Sequence, residues 1–107
     1  MKNLFLIFLC FPFFGYAQIT AIPDANFELA LVNLGLDNWV DGYVLTSRID
    51  TVDSLVVSGS NIESLEGITA FQSLDYLDCS SNNIDTLDLS NNNLKYINCS
   101  DNQLIEI

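Results

Sequence analysis

Residues Leu74–Ile107 read LDYLDCSSNNIDTLDLSNNNLKYINCSDNQLIEI, and their spacing decides the fold. Leu74, Ile84, Leu94 and Leu104 recur at a step of ten, and so do Leu77, Leu87, Ile97 and Ile107. Cys79, Leu89 and Cys99 keep the same step, followed by Asn82, Asn92 and Asn102. Cysteine alternates with leucine in the third column, so the true period is twenty, with two similar halves nested in each turn. A strict step of this kind is the signature of a solenoid.

In an L-x-L stretch, alternate residues point to one side of an extended strand. Leu77 and Cys79 therefore point inward, while Asp75, Tyr76, Asp78 and Ser80 point out or lie at the edge. Successive turns stack as parallel strands roughly 4.8 Å apart. Their leucines fuse into a continuous core that a single turn could not form alone. Where the chain leaves the strand, buried backbone groups lose their ladder partners and need others. Asn82, Asn92 and Asn102 carry both a donor and an acceptor, so stacking predicts an internal structural ladder of amides.

The pattern L-x-x-L-x-[LC]-x-x-N-x-[LI] is met by Leu74, Leu77, Cys79, Asn82 and Ile84, and again by Leu94, Ile97, Cys99, Asn102 and Leu104. Ile84, Leu87, Leu89, Asn92 and Leu94 fit it too. The chain thus resembles the leucine-rich repeat, in the nested-period class of secreted bacterial proteins. The resemblance implies an α/β solenoid with a short parallel sheet, capped by an N-terminal amphipathic helix. It is specific for fold and nearly silent about ligand.

Working toward the N-terminus, Val52–Ala70 forms a less regular turn. Val52, Leu55, Val57, Ile62, Leu65, Ile68 and Phe71 lead to Leu74, twenty-two residues after Val52. The steps of three from Ile62 to Phe71 suit a 3₁₀ return. This turn resembles an internalin-like one. Ser60 stands where later turns carry Asn, which weakens the ladder there.

Before it lies a cap, residues 18–51, with a helix expected over about 24–34. Asp24 is the expected N-cap, Phe27, Ala30, Leu31 and Leu34 the apolar face, and Gly35 the left-handed stop. The opening Ile22-Pro23-Asp24-Ala25-Asn26-Phe27 also resembles the N-terminal cap of such repeat proteins. Asp41-Gly42 marks a turn. Counted from Asp37 as a calcium loop, Trp39 falls at the third ligand position and Arg48 at the twelfth, and neither fits. A polar turn is favoured over a weak Ca²⁺ site on Asp37, Asn38 and Asp41. Trp39 and Tyr43 are expected to pack on the cap.

Residues 1–17 read as a secretory signal peptide: Lys2, the apolar run Leu4–Phe14, and Gly15-Tyr16-Ala17 before a cleavage at Gln18. The run is too short to span a bilayer. Cys10 lacks the small residue a lipoprotein signal wants before its cysteine, so a lipid anchor and a buried helix are the lesser readings. Cleavage leaves Arg48 and Lys95 against all 14 acidic residues. That balance excludes nucleic acid, which needs a basic face. No membrane insertion is expected after cleavage, and the chain is expected to be a monomer.

The chain has no histidine, which excludes Ser-His-Asp and Cys-His catalysis. Zinc sites need clusters of Cys and His, and no Gly-rich phosphate loop occurs. No enzyme activity, cofactor or metal is expected. Cys79 and Cys99 share one inward column. Export favours a disulfide, whereas parallel Cβ vectors favour free core thiols.

The candidate binding face is the outward side of the front sheet: Tyr76 beside Tyr96 and Asp78 beside Asn98, with Ser54 and Val56 in the same columns. The expected function is a secreted or cell-surface module that recognises an extracellular protein or glycan. The alternative is a structural spacer that displays a downstream domain. Repeats are expected over 52–107 with the last turn incomplete, as in the front piece of a longer protein.

Overall fold

The computed structural model describes residues 18–90 and 92–105. The signal-peptide reading of residues 1–17 and the column position of Ile107 lie outside them. Among the described residues no helix is long and apolar enough to cross a membrane.

Three short strands form the front sheet: β3 (Ser54–Val56), β4 (Tyr76–Asp78) and β5 (Tyr96–Asn98), in the order β3-β4-β5. They are parallel, pairing Leu55 with Leu77 and Leu77 with Ile97. The offsets equal the turn lengths read from the sequence. Outward residues alternate with inward ones, so Leu55 and Leu77 are buried while Tyr76 is exposed. Behind β3 the chain returns through buried Ile62, Leu65, Ile68 and Phe71, with a 3₁₀ piece at Ile68–Ala70. The corners also repeat at twenty residues: Asn61, Ser81 and Asp101 all adopt positive φ, at 56°, 58° and 57°.

The columns open toward the last turn. Ile97 is 38% exposed where Leu77 is 0% and Leu55 is 1%. Cys99, Leu94 and Leu104 are only partly buried. Among the described residues no strand follows β5 in the sheet, so its inward side chains are covered from one side.

The cap contains a helix, α1 (Ala25–Asn33), and an antiparallel pair, β1 (Ile19–Ala21) with β2 (Tyr43–Leu45). This pair has no counterpart in the sequence reading. Asp24 caps α1, its Oδ1 accepting from the N–H groups of Asn26 and Phe27. At the other end Gly35 N–H donates to Val32 O and Leu36 N–H to Leu31 O. That crossed pair needs a left-handed residue, and Gly35 supplies it at φ 81°. Phe27 and Leu31 are fully buried, and Phe27 stacks on Phe71 at 6.3 Å. The expected apolar face is wrong at Leu34, which is 50% exposed, because the helix has ended and the chain reverses there. Trp39 at 65% and Tyr43 at 49% exposure do not pack on the cap either. Tyr43 lies in β2 with the outward side chains, and the sheet buries Val44 instead.

Asp24 also joins cap to repeats. Its Oδ2 accepts from the N–H groups of Glu63 and Ser64, and Asn26 Nδ2 donates to Asn61 O. Gly67 closes the same joint at φ 105°: a Cβ there would sit 2.7 Å from Ala21 O.

Candidate functional site

The outward columns of the front sheet bring Tyr76, Asp78, Tyr96 and Asn98 together. Register places Tyr76 opposite Tyr96 and Asp78 opposite Asn98. The two phenol rings stack at 4.6 Å, 6° from parallel, and both remain exposed. Partial desolvation pushes the Tyr76 hydroxyl above its usual pKa, and Tyr96 and Asp78 beside it add to the rise.

Asp78 and Asn98 each divide their work. Asp78 Oδ1 accepts from Ser80 N–H and Oγ, and Asn98 Oδ1 accepts from Ser100 N–H and Oγ. Ser90 N–H donates to Asp88 Oδ1 in the same way and holds the Asp88 carboxyl below its ordinary range. These are Asx turns at the strand exits. The sequence reading missed them, although Asp-x-Ser, Asp-x-Ser, Asn-x-Ser at a step of ten was visible at Asp78, Asp88 and Asn98. The turns engage one side-chain oxygen of each residue. Among the described residues the second Asp78 oxygen and the Asn98 amide nitrogen make no hydrogen bond.

Beneath this face run the asparagines. Asn82 Oδ1 accepts from Ser60 and Ile62 N–H, and its Nδ2 donates to Val57, Cys79 and Ser80 carbonyls. Asn102 repeats this one turn on: Oδ1 accepts from Ile84 N–H, and Nδ2 donates to Cys79, Cys99 and Ser100 carbonyls. Asn92 departs from the expected single ladder. Its Nδ2 donates to Ile68 and Phe71 carbonyls on the return side, and its buried Oδ1 has no partner among the described residues. The period of twenty explains the split, because a ten-residue step alternates between front corner and back corner. The Ser60 side chain makes a local bond, its Oγ donating to Ser58 O.

Cys79 and Cys99 are free thiols. Burial pushes the Cys79 thiol up to about 11, with Cys99 and Asp78 adding to the rise. Such a thiol is a small apolar filler and a poor nucleophile.

In the cap the carboxylates of Glu28, Asp37 and Asp41 approach within 4.8 Å of one another. Of the alternative Ca²⁺ ligands Asp37, Asn38 and Asp41, the fold brings the two aspartates to Glu28. Glu28 went unnoticed because a lone glutamate on a short helix carries no signal. It is fully buried and accepts from Asp41 and Gly42 N–H, Oε1 at 2.7 Å from Gly42. Burial raises its pKa, and the neighbouring Asp37 raises it further. Oxygen donors of this kind suit a hard cation such as Ca²⁺. Glu28 is equally accounted for as the acceptor that closes the Asp41-Gly42 turn.

No protein-family model matches the chain, and no curated protein matches it. Among solved structures it is similar to the functional domain of InlJ from Listeria monocytogenes, a domain that includes a cysteine ladder. Identity is 30% with a TM-score of 0.67, over 85% of this chain and 24% of that one. The chain therefore spans about a quarter of that structure's length, and the likeness supports a leucine-rich-repeat-like bacterial protein with a repeat, solenoid-like fold.

Proposed function

We propose that the chain is a non-catalytic recognition module, secreted or held at the cell surface, that binds an extracellular protein or glycan. The observation that carries this is the stacked Tyr76–Tyr96 pair, exposed on the sheet with Asp78 and Asn98 beside it. Two aromatic rings offer apolar area at low entropic cost, and tyrosine is enriched in recognition surfaces. The acidic and amide groups next to them supply an acceptor and a donor for orientation. The InlJ likeness agrees with an interaction module.

The test replaces Tyr76 and Tyr96 together by Ser and screens both proteins against arrays of glycans and extracellular proteins. The double variant is expected to melt within a few degrees of the parent, since neither ring is in the core. It is expected to lose the ligands that the parent retains. Equal retention by both proteins would overturn the proposal and favour the spacer.

A further inference from the structure

The outer edge of β3 is a second surface, beside the tyrosine face. Among the described residues β3 ends the sheet, and the β1–β2 pair belongs to a separate sheet. In a parallel ladder the N–H and C=O of one residue point the same way, and successive residues alternate sides. Asp53 O accepts from Asp75 and Tyr76 N–H, and Val57 N–H donates to Asp78 O, so the odd-numbered residues face β4. Ser54 and Val56 consequently turn their backbone groups to the free edge, and both are exposed. Against that edge lies a groove of about 410 Å³ lined by Leu34, Leu36, Val52, Asp53, Ser54 and Val56, among others.

Shortness and an aspartate at its entry would by themselves blunt such an edge. Blunting does not require an apolar floor, yet Leu34 is 50% and Val56 48% exposed here. Leu34, the residue that follows α1, is the one whose spacing assigns it to the core and whose place in the fold leaves it uncovered. We propose that this edge docks an extended segment of another protein by strand addition, with alternating apolar and basic side chains. Backbone pairing to Ser54 and Val56 would supply affinity, and the groove would take the alternate apolar side chains. The basic residues follow from charge: Asp53 lines the groove, and the chain has 14 acidic residues against 3 basic. The same charge argues against a second copy, because two chains of net charge −11 would bring Asp53 near its own equivalent.

The experiment titrates the isotope-labelled chain with a blocked hexapeptide of alternating lysine and valine, followed by NMR. Ser54 and Val56 amides are expected to shift, and Val56→Pro and Leu34→Lys are each expected to weaken binding roughly tenfold or more. Proline is tolerated on a free edge, and Leu34→Lys gives the same readout from an exposed site should Val56→Pro unfold. Equal affinity for a peptide of the same charge with N-methylated pairing amides would reduce the contact to charge attraction and overturn the proposal. So would shifts that miss Ser54 and Val56, or shifts there that track protein concentration without peptide, which would make the occupant a second copy.

Discussion

The turn built on β4 and the cap built on α1 each surround a small core, but they hold their polar groups by opposite means. The turn around Asn82 meets near-copies of itself, and one amide closes five backbone groups of its own and the preceding turn. The cap meets unlike neighbours and uses carboxylates. Asp24 reaches from α1 to Glu63 and Ser64, and Glu28 reaches to Asp41 and Gly42. A repeat can reuse one device because its geometry recurs, whereas a cap must solve each contact once.

The largest effect that would break this comparison is Asn82→Ala. It orphans backbone groups that water reaches poorly, at a cost of about 4 kcal/mol. Asn102→Ala, at the open end where Asn102 is half-buried, should cost about half as much. Denaturant melts of the pair measure the gradient; equal losses would mean that the last turn is as closed as the one before it. Next comes Asp24→Ala, expected to cost about 2 kcal/mol as a helix cap and a joint at once. Hydrogen exchange should then open α1 and the Glu63–Ser64 backbone together. Exchange limited to α1 would mean that cap and repeats are held by apolar contact alone.

The smallest effect is alkaline. Cys79 holds its proton up to about 11 in the fold, against 9.0 as its ordinary value. The raised folded pKa means that its contribution is fully present below pH 9 and is lost as pH climbs from 9 to about 11. Unfolding curves across that window should fall more steeply for the parent than for Cys79→Ala. Parallel curves would place the thiol in contact with water.

Much of the repeat was legible because its partners are its own copies at a known offset. Leu77 lies beside Ile97 and Leu55 for the same reason that it resembles them. The face of Tyr76, Asp78, Tyr96 and Asn98 followed from strand alternation alone. The asparagines were half legible: the ten-residue step identified all three, but only the twenty-residue period separates Asn92 from Asn82 and Asn102.

The sequence by itself determined the stacked columns, the outward tyrosines, the Asp24 cap and the Gly35 stop, because periodicity and local capping are rules about near neighbours. Only the tertiary structure decided that Glu28 is buried, that Leu34 and Trp39 are not, and that β1 pairs with β2. Those outcomes depend on contacts without a repeating offset, such as that of Asp24 with Glu63, 39 positions on. Nothing in a local pattern encodes which unlike surface will arrive there, and burial is settled only when it does.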